Sequence, residues 1–220
     1  QIDYVECHAT GTPVGDITEL NSMEAFFGKY SDEMPLIGSA KSNFGHLLTA
    51  AGMAGMTKVI LGMAQDQIPA TINLSEPLES KEGTVGSDQI VQQTIKWPRK
   101  GSIDRAAVSA FGFGGTNAHL ILEQSAPTTN HQPTTNHQQM AIIGMDAFFG
   151  SSDGLAAFGR KIHNNEQDFR PIPTGRWQGI ENEPDILREY GFENGKAPDG
   201  AYITDFDMDF FHYKIPANND

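Results

Sequence analysis

A polar, uncharged stretch at residues 125–139 divides the chain into two segments. It contains no Asp, Glu, Lys or Arg, and the hexapeptide Pro-Thr-Thr-Asn-His-Gln occurs in it twice in succession. So polar a stretch buries too little surface to offset the entropy lost on ordering its backbone. The sequence therefore predicts a disordered linker at 125–139, one folded segment at 1–124 and a second at 140–220.

The first segment has the pattern of a layered α/β fold. Apolar periodicity and turn residues predict strands at 2–5, 35–39, 105–109 and 119–123, and helices at 16–27 and 46–63. Gly28 is expected to end the first helix. The second helix is rich in Ala, Gly and Met, which indicates close packing on all sides. The last two strands should form a hairpin around a glycine-rich loop.

The second segment predicts a strand at 140–144 and a helix at 154–164, followed by Pro- and Gly-rich loops. Two sets of polar side chains resemble metal ligands, but we expect no metal site. His131 and His137 belong to the repeated linker. The aspartates at 205, 207 and 209 alternate along one strand face without a convergent loop, which favours a solvated face.

Net charge and cysteine content restrict the partners of the chain. The formal charge is −13, which disfavours binding to nucleic acid or to an anionic membrane surface. No stretch approaches the roughly 20 apolar residues of a membrane span. Cys7 is the only cysteine, so no internal disulfide can form, and a cytoplasmic location is expected.

Three short segments concentrate the residues that could perform chemistry. They are residues 7–16 (Cys-His-Ala-Thr-Gly-Thr-Pro-Val-Gly-Asp), 41–46 (Lys-Ser-Asn-Phe-Gly-His) and 111–117 (Phe-Gly-Phe-Gly-Gly-Thr-Asn). Each follows a predicted strand. Two histidines from such loops could stabilise a carbonyl anion through Nε2–H donors, and a glycine-rich turn could offer backbone N–H groups to another oxyanion. The inventory fits acyl chemistry.

These three motifs, in this order and at these separations, resemble the signature of β-ketoacyl synthases of the thiolase superfamily. The match covers residues 1–123. The resemblance implies an α/β, thiolase-like layered α-β-α-β-α fold, present only in part. It also implies decarboxylative Claisen condensation of acyl and malonyl thioesters on an acyl carrier protein. No cofactor would be bound directly, since the carrier protein brings its own phosphopantetheine arm.

The same resemblance assigns roles to individual residues. His8 and His46 would hold the thioester carbonyl during decarboxylation, and Lys41 would position His46 or waters of the site. Phe113 would supply a backbone N–H to the oxyanion hole and a gate on the acyl tunnel. The remaining expected substrate contacts are Thr10 and Thr12, which would bind phosphopantetheine, and the loop residues Phe111, Gly114 and Gly115. Alternatively, the two threonines only shape the turn.

The family nucleophile is a cysteine in a motif far upstream of the first histidine, and Cys7 does not match it. We expect Cys7 to pack as a small buried hydrophobe. The chain is therefore expected to begin within a domain and to be inactive alone. Asp16 and Glu19 suit the start of a helix electrostatically, which explains them without acid/base chemistry.

The second segment resembles, more loosely, the beginning of another synthase domain. A synthase followed by such a domain resembles the synthase and chain-length-factor pair of bacterial polyunsaturated fatty acid synthases, in which the two form a dimer. Two alternatives stay open. The second segment could begin an ordinary active synthase, or the whole could be a non-catalytic chain-length-determining or docking module.

Overall fold

The computed structural model describes residues 1–31, 33–98, 103–125 and 145–204. Several predictions lie outside these residues: most of the linker with His131 and His137, the strand at 140–144, and the aspartates at 205, 207 and 209. The strands are β1 (Tyr4–Glu6), β2 (Leu36–Gly38), β3 (Gln67–Ile68), β4 (Ile95–Lys96), β5 (Ile103–Phe111), β6 (Asn117–Ser125), β7 (Phe148–Phe149) and β8 (Ser152–Asp153). The α-helices are α1 (Pro13–Tyr30), α2 (Lys41–Phe44), α3 (Ala51–Ala64), α4 (Leu155–His163) and α5 (Pro184–Glu189), with 3-10 turns at Leu48–Ala50, Phe113–Gly115 and Ile180–Asn182.

Four strands form the central sheet, in the order β2-β1-β5-β6. Strand β1 runs parallel to both β2 and β5, and β5 pairs with β6 as the predicted antiparallel hairpin. The carboxyl ends of parallel strands lie at one edge of a sheet, where α/β proteins commonly bind ligands. The residues that follow β1, β2 and β5 therefore meet at that edge, and they include all three motifs.

Helices cover the two faces of this sheet. Successive side chains of a strand point to opposite faces, so Tyr4 and Val5 enter different cores. On one face Val5 packs with residues of α1, including Leu20 and Phe27. On the other, Tyr4 packs with residues of α3, including Val59. The result is part of the layered α/β fold that the sequence predicts.

A buried ion pair joins α3 to the sheet. Lys58 Nζ lies 2.9 Å from Glu6 Oε2, and the two side chains are 0% and 2% exposed. Tyr4 donates its hydroxyl hydrogen to the same carboxylate oxygen at 2.7 Å, and Ala40 N–H donates to the other at 2.5 Å. Gly55 permits this approach, because a Cβ there would lie 2.8 Å from Glu6 Cγ.

Three predicted helix boundaries are wrong. Helix α1 begins at Pro13 rather than at Asp16, and it continues through Gly28 to Tyr30. A glycine inside a helix costs only about 1 kcal/mol relative to alanine, and Phe27 is anchored in the core. Helix α3 begins at Ala51 rather than at His46, because Leu47 and Leu48 have φ values of 53° and 47°. No helix of the described residues is long and apolar enough to cross a membrane.

The described part of the second segment packs against the first. Helix α4 confirms the helix predicted at 154–164. Its buried residues Phe158 and Ile162 share a core with Phe44 of α2 and Ala54 of α3. The Phe158 and Phe44 rings are stacked, with centroids 5.0 Å apart and an interplanar angle of 19°.

Replacing Lys58 by Met should destabilise the protein by about 3–5 kcal/mol, because it leaves the Glu6 carboxylate buried without its cation. Lys96→Met is the matched control, since Lys96 is 80% exposed and lies 3.6 Å from Asp66. It should cost less than about 1 kcal/mol. Urea denaturation measures both free energies of unfolding, and equal losses would contradict the role given to the buried pair.

Candidate active site

Two carboxylates of α1 hold the loop that carries His8. Glu19 accepts hydrogen bonds from the backbone N–H groups of His8 and Ala9, both at 2.8 Å. Asp16 accepts from the next two N–H groups along the chain, at 2.9 and 3.1 Å. Charge-assisted hydrogen bonds of this kind are about twice as strong as neutral ones. The backbone from which His8 projects is therefore clamped at four consecutive residues.

This clamp corrects the sequence interpretation of Asp16 and Glu19. Besides lying near the start of α1, the two carboxylates accept hydrogen bonds from backbone amides of the His8 loop. Glu19 is buried, which raises its pKa, while the amide hydrogen bonds oppose that shift. The sequence carried a signal for this arrangement, because the first turns of a helix that follows a short loop lie beside that loop.

His8 and His46 face one another across the site. Their ring centroids are 5.4 Å apart and their planes are inclined at 81°. The backbone N–H of Phe111, at the end of β5, donates to His8 Nδ1 at 3.2 Å. A ring nitrogen that accepts a hydrogen bond carries no proton, so neutral His8 has its hydrogen on Nε2. His8 is thereby fixed as an Nε2–H donor.

The surroundings of His8 favour its neutral form. Burial lowers its pKa, and electrostatic interactions with Lys41 and His46 lower it further, against the opposing effect of Asp16. The usual pKa of histidine is about 6.5, so His8 is largely neutral at physiological pH. The neutral state of His8 is therefore consistent with its role as an Nε2–H donor.

His46 lies in a turn of unusual backbone conformation. Gly45 has a φ of 77°, and both residues that follow His46 also have positive φ. Such left-handed conformations cost roughly 1–2 kcal/mol for a non-glycine residue, so surrounding contacts must hold them. Within the described residues His46 Nδ1 is buried without a hydrogen-bond partner. No hydrogen bond at Nδ1 from the described residues therefore fixes the tautomer of His46, in contrast to His8.

Lys41 begins α2 and acts on the site through its charge. Burial lowers its pKa, and the nearby carboxylates of Glu6 and Glu19 oppose that effect. No hydrogen bond joins Lys41 to His46 in the described part of the chain. Its predicted role in positioning His46 stays a prediction.

The glycine-rich loop forms a tight turn between β5 and β6. Gly112 N–H donates to Thr116 O at 2.8 Å, and Gly115 N–H donates to Gly112 O at 3.3 Å. Gly114 and Gly115 have φ values of 79° and 85°, which favour glycine. The Phe113 side chain lies outside the description, so its gating role stays a prediction.

Thr10 and Thr12, the predicted phosphopantetheine contacts, lie together on the His8 loop. Their hydroxyl oxygens are 2.9 Å apart, so one donates to the other. The pair retains one hydroxyl hydrogen and several lone pairs for a ligand. Thr12 is exposed and Thr10 half-buried.

Cys7 is unsuited to act as a nucleophile. It is buried, and burial raises its pKa well above the usual value, with further contributions from Glu19 and Glu6. The thiolate is the reactive form, and these surroundings disfavour it. The prediction that Cys7 packs as a buried hydrophobe is confirmed.

An apolar groove of about 340 Å³ begins at His8 and runs between α3 and the β5–β6 hairpin. Its lining includes Met53, Met56, Phe111 and Leu120. The Phe111 ring lies beside His8, with centroids 5.2 Å apart. The histidine pair therefore lies at one end of this apolar groove.

Two family models match the chain. Residues 1–75 match the β-ketoacyl synthase C-terminal domain, and residues 84–172 match the ketoacyl-synthetase C-terminal extension. A polyunsaturated fatty acid synthase polypeptide from a Thraustochytrium species is 38% identical over 98% of this chain and 11% of that protein. The chain therefore spans about a tenth of that relative.

Solved structures give a consistent result. A structure described as PfaC keto synthase-chain length factor is 47% identical, with a TM-score of 0.56, and covers 97% of this chain and 23% of that one. Ketosynthase twelve of the bacillaene polyketide synthase from Bacillus amyloliquefaciens is 38% identical, with a TM-score of 0.51. This match covers 57% of this chain and 23% of the bacillaene ketosynthase chain.

Glu19→Gln should destabilise the protein by about 1–3 kcal/mol, because an amide NH₂ group replaces one of the two acceptors buried against the loop. Hydrogen exchange should accelerate at the His8 and Ala9 amides. Asp16→Asn is the matched control and should affect the next two amides instead. Exchange rates that are unchanged in both variants would contradict the clamp.

Lys41→Met should raise the pKa of His8, since it removes a positive charge that disfavours the imidazolium. Histidine NMR of isotope-labelled protein across a pH series measures this shift. Lys81→Met, which changes a lysine that is 81% exposed, should leave the His8 titration unchanged. A lower His8 pKa in Lys41→Met would refute the electrostatic assignment.

Proposed function

Because the chain belongs to the β-ketoacyl synthase family, we propose that it supplies the paired histidines of a synthase performing decarboxylative Claisen condensation. The substrates would be acyl and malonyl thioesters on an acyl carrier protein. One observation carries the proposal: His8 faces His46 while the Phe111 amide fixes His8 as an Nε2–H donor.

In this mechanism the histidine pair binds the thioester carbonyl oxygen of the malonyl group. Loss of CO₂ leaves its bonding electrons on the α-carbon, and the resulting enolate places negative charge on that oxygen. Nε2–H donors stabilise this charge more than that of the ground-state carbonyl, which lowers the barrier. A neutral His8 has the required donor and does not need to transfer its proton.

The enolate carbon then attacks the acyl thioester carbon held on the nucleophilic cysteine. The tetrahedral oxyanion would be stabilised by backbone N–H groups, with that of Phe113 as the proposed donor. Collapse of this intermediate forms the β-ketoacyl product and expels the cysteine thiolate. Since Cys7 is buried with a raised pKa, we place the nucleophile outside these 220 residues. The chain alone should not condense substrates.

The carrier protein would deliver its phosphopantetheine arm past Thr10 and Thr12, whose hydroxyls can hydrogen-bond its amides. The apolar groove beside His8 and Phe111 offers a surface for the acyl chain. The arm belongs to the carrier protein, so the synthase itself would bind no cofactor.

The second segment is proposed to begin a chain-length-factor domain. The polyunsaturated fatty acid synthase relative and the keto synthase-chain length factor structure align with nearly the whole chain, whereas the bacillaene ketosynthase aligns with only 57% of it. We base the proposed division at 1–124, 125–139 and 140–220 on this difference; the match to the C-terminal extension crosses it, from residue 84 to residue 172. The dimer partner would be a chain-length-factor domain of the same synthase.

His8→Ala and His46→Ala, each in the complete parent protein, should reduce malonyl decarboxylation about 100- to 1000-fold, because each removes one donor from the enolate oxygen. Release of CO₂ from malonyl carrier protein measures the step. His119→Gln is the control, since His119 lies on β6 and pairs with Ser109. Full decarboxylation by both alanine variants would sink the proposed function.

A further inference from the structure

The second histidine motif is held from outside by a short stretch of the second segment. We call residues 165–169, which follow α4, the strap. We propose that the strap positions His46, so that the second segment sets the geometry of the histidine pair. This inference rests on the proposed function for its catalytic consequence, but not for its structural one.

Hydrogen bonds tie the strap to the residues just before His46. Asn43, which is fully buried, donates its side-chain amide to Glu166 O at 2.9 Å. Asp168 N–H donates in return to Asn43 O, also at 2.9 Å. Asn73 joins Ser42 O to the Gln167 side chain, with both contacts at 2.9 Å. The strap therefore binds both the side chain and the backbone carbonyl of Asn43, and it reaches Ser42 through Asn73.

Aromatic packing completes the attachment. The Phe169 ring lies against Gly45, where an added Cβ would be 3.3 Å from the ring edge. Phe44 stacks on Phe158 of α4, and both side chains are at most 2% exposed. The residues between Lys41 and His46 thus contact the second segment through backbone, amide and ring groups.

The strap is itself anchored. The Asp168 carboxylate, 7% exposed, accepts from the Ser151 hydroxyl at 2.7 Å and from Lys161 Nζ at 2.6 Å. Ser151 belongs to the β7–β8 hairpin and Lys161 to α4, so a bonded unit of the second segment supports the strap. This matters because His46 is flanked by residues of positive φ. A backbone in that conformation keeps its place only when its neighbours define it.

The test uses the complete parent protein with Phe169→Ala, which removes the ring from Gly45 without touching a catalytic group. Phe192→Ala is the matched control, because Phe192 is also half-buried in the second segment but packs on Trp177. Three quantities are measured: malonyl decarboxylation, acyl loading of the nucleophile, and the NMR resonances of His46.

Phe169→Ala should shift the His46 resonances and slow decarboxylation about 10- to 100-fold, as expected for a catalytic group displaced by about 1 Å. Acyl loading should stay within about twofold of the parent, which separates displacement of His46 from general misfolding. Phe192→Ala should change none of the three. Should Phe169→Ala fail to fold, Phe169→Leu keeps apolar bulk but withdraws the planar ring, and the same changes are expected.

If Phe169→Ala leaves both the His46 resonances and the decarboxylation rate unchanged, the proposal that the strap positions His46 is overturned, whatever the result for His46→Ala. Equal losses of loading and decarboxylation would also overturn it, because they indicate a global defect. If His46→Ala keeps full decarboxylation, the proposed function fails instead, and the His46 resonances alone decide the structural inference.

Discussion

Glu6 and Lys58 form an ion pair away from water, and the elements that carry the site meet at it. Glu6 ends β1, two residues before His8, and its carboxylate also binds the backbone at Ala40, one residue before Lys41. Two buried charges tolerate little displacement, because separation leaves each without its partner in a medium that solvates it poorly. The pair therefore defines the spacing between the first two motifs and α3.

The sheet supplies the remaining constraint. Parallel pairing of β1 with β2 and β5 brings the three loops that carry the motifs to one edge, although the motifs are separated by many residues in sequence. Each loop is then stabilised by its own contacts. The His8 loop has the carboxylates of α1, the His46 turn has the contacts of the second segment, and the glycine loop has the antiparallel hairpin. Each motif thus has local contacts of its own in addition to the shared ion pair.

Much of this arrangement could be predicted from the sequence, and the exceptions have physical causes. The hairpin, α1 and α4 follow from periodicity and turn residues, whereas the grouping of the motifs into one site was implied by the family resemblance. The sequence predicts the second helix to begin too early, because nothing in Leu47 or Leu48 signals a positive φ. The amides that Glu19 binds lie in the loop just before its helix, so this contact was within reach of the sequence, but helix-start electrostatics alone already accounted for the residue. Packing of Phe158 on Phe44 depends on a chain return across the linker, which local patterns do not encode.

Phe111 acts on His8 through two separate parts of one residue. Its amide determines which imidazole nitrogen carries the hydrogen, and its ring forms the wall beside that imidazole. Every amino acid except proline retains the amide, so the wall can change in size and shape while the donor that sets the protonation pattern of His8 stays in place. An engineer who reshapes the apolar groove at this position can therefore search nearly all side chains without removing the amide that sets the tautomer.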